Sequence, residues 1–281
     1  MKKMKPILAL GLALAIALPL WGCRKETPAS TTAPSTTAPR IIREKLAEIE
    51  PAVLFDQDGI RITAEAMVQT DLGGELTVTV VNDTQRSISY TAADLIVNGL
   101  TITDGFSITA PAGQTAHGAI SISYRSMDAS AMTNIATVSS PDARIMENDE
   151  HNTLYTAPFS IETSLAGKYK PELETGTVTY EKDGLCITVL GVKPNTRTTT
   201  VRLLVSNAGT DHVSIKAENI KADGKDVTAW LFDTIYAGTS RYCSFELGGT
   251  NITEVSLDID VYSVGDVPAL LYHTGNHTLR R

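Results

Sequence analysis

The sequence predicts an all-β chain, two tandem β-sandwiches behind a leader and a tether. Three observations predict it. One 65-residue stretch occurs twice at a constant offset, its apolar residues alternate with polar ones in short runs, and turn dipeptides punctuate those runs.

The repeat organises the rest. Asp58-Gly59, Asn98-Gly99, Ala112-Gly113 and Ile120 return 125 residues later as Asp183-Gly184, Asp223-Gly224, Ala237-Gly238 and Phe245. Of the 65 aligned pairs 13 are identical, where ordinary composition gives roughly 4. Ile62/Ile187, Val80/Val205 and Asn82/Asn207 are among them. The match resumes after a five-residue deletion, Met132–Ile135 being answered by Ile252–Val255. A period this long marks a duplicated domain rather than a solenoid.

Taken in order, the chain begins with Lys2, Lys3 and Lys5 and then an almost wholly apolar run, 6–20. That run is short for a spanning helix, which needs roughly 20 residues, and suits a signal peptide. Leu20-Trp21-Gly22-Cys23 follows. It resembles the lipobox of bacterial lipoproteins: an aliphatic residue, two intervening residues of which the second is small, then cysteine. Trp21 stands where the pattern usually has a small residue. The resemblance implies a leader of 1–22, cleavage before Cys23, and diacylglycerol, with acyl chains such as palmitate, on the sulfur of that cysteine. It also implies an extracytoplasmic protein held to the outer leaflet of the cell membrane, since two acyl chains anchor stably.

Residues 23–40 repeat Thr-Thr-Ala-Pro and hold almost no bulky apolar residue, so they read as a solvated tether. It spans on the order of 23 Å as a coil and about 50 Å as polyproline II. The whole chain carries net charge −8; losing the leader's three lysines makes it −11. That balance argues against nucleic acid, which needs clustered Lys and Arg, and against attraction to anionic lipid. Membrane attachment is therefore assigned to Cys23.

Ile41, Ile42, Leu46 and Ile49 fall at helical spacing and predict a short amphipathic helix over 41–50, ending before Pro51. The period then switches to two. Ile60/Ile62/Ala64, Leu76/Val78/Val80 and Ile120/Ile122 each mark a half-buried strand. Asn98-Gly99 and Asp223-Gly224, between apolar runs, predict type I′ hairpins. Asp58-Gly59 and Asp183-Gly184 follow strands in the same way. Short helical turns are expected near 92–95, 131–135, 217–220 and 252–255.

Many short strands with regular turns and no long helix point to immunoglobulin-like sandwiches at 51–163 and 177–273, with a linker at 164–176 and a tail at 274–281. The cysteine–tryptophan–cysteine core of antibody domains is absent, so the architecture alone is assigned. The arrangement resembles the Ig-like domains found in lipoproteins of Gram-positive bacteria. The likeness rests on Asp-Gly-Ile/Leu, the strand ending in Asn82 or Asn207, the Asn/Asp-Gly hairpin and the Ala-Gly turn. It implies fold and location only.

Chemistry-bearing residues are sparse. Cys186 and Cys243 fall on opposite faces of their strands, which makes a bridge awkward, although an extracytoplasmic site would permit one. His273 and His277 are four apart, but Thr-Gly-Asn between them is a poor helix, so terminal surface histidines are expected. Asp56-Gln57-Asp58-Gly59 opens like a calcium loop, yet Met67 stands at position 12 and a tight hairpin explains it better. Asp258 and Asp260 read as a solvated strand face. No nucleophile elbow, His-Glu-x-x-His, P-loop or Cys-x-x-Cys occurs, so neither an enzyme nor a cofactor is expected.

One feature stands out. Trp230, Phe232 and Tyr236 fall on one face of the second repeat, where the first has Gly105, Ser107 and Pro111. Either they pack under a loop, against the tail or between domains, or they form a contact patch for a surface protein or glycan. The sequence-level reading is a non-catalytic binding module contacting its partner through these three residues. The alternative is an accessory or spacer of an envelope assembly; a hydrolase of envelope polymers or a solute-binding protein ranks below both.

Overall fold

The computed structural model describes residues 47–70, 72–149, 152–265 and 267–281. The leader, Cys23, the tether and the first six positions of the expected 41–50 helix lie outside the described residues. Its remaining positions, Ala47–Glu50, take no regular structure. Everything described belongs to one compact unit.

The chain is nearly all β. The first half runs β1 (Ala52–Gln57), β2 (Ile60–Thr70), β3 (Gly73–Asn82), β4 (Ile88–Ala92), β5 (Leu95–Val97), β6 (Leu100–Ile102), β7 (Phe106–Ala110) and β8 (Gln114–Ser123). Helix α1 (Tyr124–Ala129) follows, capped by Ser123, and then β9 (Thr137–Ser140), β10 (Arg144–Glu147), β11 (Thr153–Thr156) and β12 (Phe159–Glu162). The second half runs β13 (Thr177–Lys182), β14 (Leu185–Pro194), β15 (Thr198–Asn207), β16 (Val213–Ala222), β17 (Lys225–Asp226), β18 (Phe232–Ile235), β19 (Thr239–Gly248), β20 (Glu254–Ser263) and β21 (Leu270–Arg280).

Four sheets result: β1-β2-β3-β8, β11-β10-β4-β7, β12-β9-β5-β6-β19-β15-β14-β13, and β17-β16-β20-β21 with β18 beside β16. Among the described residues every pairing is antiparallel except one. There β19 meets β6 in parallel at Ser240 and Leu100, and Ser240 N–H donates to the Gly99 carbonyl at 3.0 Å. Through that contact the eight-stranded sheet runs from the first half into the second. The hydrophobic interior forms two clusters, one built from the first half around Ile62, Leu76, Tyr90 and Ile120, the other from the second around Ile187, Val205, Ile215 and Ile259.

The duplication is visible in detail. Gln57 pairs with Ile60, Val97 with Leu100, Lys182 with Leu185 and Ala222 with Lys225, each across a two-residue loop. Both loop residues have positive φ in every case, for example +54° and +79° at Asn98-Gly99. This is the conformation an Asx-Gly pair reaches at least cost and the one whose twist matches the flanking strands. The β2 bulge between Ala64 and Ala66 recurs in β14 between Val189 and Gly191. Asn82 and Asn207 are buried at the ends of β3 and β15. Asn82 donates to the carbonyls of Arg86 (2.7 Å) and Ala110 (3.0 Å); Asn207 donates to those of Asp211 (2.8 Å) and Ile235 (3.1 Å). Each asparagine satisfies backbone acceptors that would otherwise be buried alone.

Several sequence expectations change. Val138 lies opposite Val97 and Val255 opposite Ala222, so the offset after the gap is 117 and the gap is eight residues, not five. The extra residues of the first half hold α1; the helical turns expected at 92–95, 131–135, 217–220 and 252–255 are absent. The expected tail is the body of β21. The long β16 corresponds to β4 plus β5, and the long β20 to β9 plus β10. In β16 a bulge between Glu218 and Lys221, with Asn219 at φ +50°, keeps the strand whole. At the matching position, Asp94, the first half breaks, and β5, β6, β9 and β12 pass into the shared sheet.

Candidate functional site

The site is built on the outward face of β18-β16-β20-β21. Alternation sends Ile215, Ala217, Leu257, Ile259 and Val261 into the second core and points Lys216, Glu218, Asp258, Asp260 and Tyr262 to the other face. Asp260 is nevertheless only 7% exposed there, covered by His273 and by Tyr262, whose hydroxyl lies 3.4 Å from its Oδ2. The register aligns one outward row straight across four strands: Phe232 opposite Lys216, Lys216 opposite Asp260, and Asp260 opposite His273. Glu218 and Asp258 lie opposite one another in the next row, and Asp258 faces Asn276.

Trp230, just before β18, is 71% exposed, and Phe232 is 41% exposed. Their ring centroids lie 6.3 Å apart at an interplanar angle of 31°. The Lys216 Nζ sits 5.9 Å from the Trp230 ring centroid, within cation–π range, and is ion-paired to Glu218. The carboxylate beside Lys216 holds its ammonium pKa above the usual lysine range.

At the other end a groove of about 450 Å³ is lined by Glu218, Asn219, Asp258, Asp260, His273 and Gly275. His273 Nδ1 lies 2.5 Å from Asp260 Oδ1. Asp258 accepts from Asn219 Nδ2 at 2.7 Å and from Asn276 Nδ2 at 3.2 Å. These amides, Asn219 first, hold its carboxyl below the usual range. The groove is therefore rich in acceptors, held in place by cross-strand hydrogen bonds. Among the described residues no group of three or more His, Cys, Asp or Glu is placed to hold a metal ion.

Of the three aromatics singled out by the sequence, Trp230 and Phe232 are brought together and Tyr236 is not. β18 ends at Ile235 and the chain turns at Ala237-Gly238, so the alternation does not extend to Tyr236. Tyr236 is 5% exposed and edge-on to His212 at 5.1 Å. Burial, then the nearby Asp142 and Asp94 carboxylates, push its phenol far above the usual range. It packs at the junction of the halves.

The remaining candidates have structural roles. Cys186 is half-buried, Cys243 is buried, and both are free; burial pushes the Cys243 thiol well up. Asp58 sits in its hairpin and accepts the Tyr155 hydroxyl at 2.6 Å. His277 is not a surface residue: it lies opposite Leu257, faces inward and is 4% exposed. Sequence reasoning missed Lys216, Asp260 and His273 as one row. Asp258 lies on the outward face as alternation expects, but Asp260 is not solvated: it is 7% exposed beneath His273, on a strand, β21, that runs through the expected tail.

No family model matches the chain, and no curated protein matches it. Among solved structures, the chain aligns with the crystal structure of the conserved domain protein from Bacillus anthracis at 9% identity, over 84% of this chain and 91% of that one, with a TM-score of 0.27.

Proposed function

We propose that this chain is a non-catalytic binding module of the bacterial cell surface, two immunoglobulin-like β-sandwiches tethered through a lipidated Cys23. The observation that carries the binding reading is the Trp230–Phe232 pair, two adjacent aromatic rings in water on the face of a sheet whose other side is core. Exposed tryptophan is the residue type most often dominant in binding energy, and such rings are normally buried when they serve packing alone. The lipobox-like Leu20–Cys23 supports the anchoring, and the acidic body supports a partner other than nucleic acid.

The experiment is co-sedimentation of segment 41–281, which contains every residue of both hydrophobic clusters, with purified Gram-positive envelopes. Binding should fall at least about tenfold in W230A/F232A, a loss of about 1.4 kcal/mol, with melting unchanged. Absent or equal binding removes the reading. In cells, Cys23→Ser should release the full-length protein from the membrane fraction and abolish incorporation of labelled palmitate.

A second reading, a spacer in an envelope assembly, is favoured by the shared sheet and by the buried Arg241–Asp94 ion pair between the halves. It predicts a co-purifying partner that W230A/F232A retains.

A further inference from the structure

We propose, resting on the binding reading above, that the outward face of β18-β16-β20-β21 is a platform for an oligosaccharide of amino sugars with free amines. Three strand spacings separate Phe232 from His273, about 14 Å in all. Trp230 and Phe232 offer flat apolar surface at one end. The groove of Glu218, Asp258 and His273, floored by the buried Asp260, offers negative charge and acceptors at the other.

The acceptors define the ligand's chemistry. His273 Nδ1 is already engaged with Asp260 Oδ1, 2.5 Å away. Three carboxylates, Glu218, Asp258 and Asp260, face this one imidazole, and the one lysine of the row is ion-paired to Glu218. An anionic polymer would meet like charge. Hydroxyl and ammonium donors would meet carboxylates, and ammonium gains the stronger, charge-assisted bond. A pyranose ring adds an apolar C–H face that stacks on an indole.

A peptide fits less well. Peptides that bind sheets add a strand at an edge, where main-chain groups are unpaired. Here β16 and β20, which carry Lys216, Glu218, Asp258 and Asp260, are each paired on both sides, and only β17, β18 and β21 end the sheet, so a strand added at an edge would not lie across the platform. The face presents side chains alone.

The test is titration of Trp230 emission in segment 41–281 at neutral pH with three tetramers: glucosamine, N-acetylglucosamine and a uronic acid. The glucosamine tetramer should give a saturable change and bind at least about tenfold more tightly than its N-acetylated counterpart, weakening severalfold in high salt. The uronic acid tetramer should not bind. His273→Ala and Glu218→Gln alter groove side chains that are 64% and 38% exposed and should each weaken glucosamine binding severalfold with unchanged melting. No saturable change, equal affinity for the first two tetramers, or indifference to both variants overturns the assignment. If envelope binding depends on Trp230 but the glucosamine tetramer does not compete, the sugar class is wrong and the binding reading stands. If envelope binding is also absent, both fail.

Discussion

Arg241 of the second half reaches Asp94 of the first, Nη1 to Oδ2 at 3.3 Å, with its side chain only 7% exposed. Its Nη2 meets Asp233 Oδ1 at 3.0 Å, and Nη1 also donates to the Thr234 carbonyl at 3.2 Å. The two repeats have diverged to make this possible. Arg241 replaces Ala116, and the Cys243–Asp233 combination replaces Gly118 with Ile108, whose side chain fills the space a Cβ at Gly118 would need.

Arg241→Ala would leave Asp94 and Asp233 without their cation and should cost about 3 kcal/mol or more. Burial pushes the Asp94 carboxyl up, and Arg241 beside it pulls it back. A carboxyl raised on folding contributes stability below its unfolded pKa of about 3.9 and loses it as pH rises through the folded value. Removing the guanidinium raises that value further. The deficit of the variant, read from urea midpoints, should therefore be largest at neutral pH and shrink towards about pH 4.

Asn82→Ala and Asn207→Ala should each destabilise by about 2 kcal/mol, because the buried carbonyls of Ala110 and Ile235 lose their donors. Denaturant midpoints would report it. A near-neutral effect in either repeat would mean that water replaces the amide there.

Local chemistry was legible in the sequence, and pairing over distance was not. Asn98-Gly99 and its relatives specify their hairpins by themselves, and alternation placed Phe232 outside and Ile235 inside. Alternation failed at Tyr236 because it holds only while the strand lasts, and a turn at 237–238 ended it. β21 was missed because Thr274-Gly275-Asn276 has turn composition; the residues extend because β20 offers an edge to pair with. The Asp260–His273 contact depends on that pairing and so has no signature in the sequence. The β6–β19 junction has no sequence signal, since it rests on backbone groups at Gly99 and Ser240.

His277 should make the protein acid-sensitive. Its Nε2 lies 2.6 Å from Thr274 Oγ1, while Nδ1 is buried with no hydrogen-bond partner among the described residues. Burial holds its pKa below the usual histidine value. A group depressed on folding contributes stability above its unfolded pKa, about 6.5, and loses it as pH falls through the folded value. Melting temperature should fall from about pH 7 to about pH 5 in the parent, and His277→Leu, opposite Leu257, should flatten that slope. An unchanged slope would place the acid sensitivity elsewhere.

Trp230 and Tyr236 should separate cleanly by experiment. Trp230 is the only tryptophan of segment 41–281, so its emission reports one position. At 71% exposure it should emit near the wavelength of free tryptophan and be readily quenched by acrylamide. Phe232→Ala should shift that signal, since the rings are 6.3 Å apart. Tyr236→Phe removes a buried hydroxyl near the Asp142 and Asp94 carboxylates and should change stability by no more than about 1 kcal/mol while leaving emission and envelope binding as they were. Blue-shifted, protected emission would mean that Trp230 is covered, and the aromatic pair would then be packing rather than a binding surface.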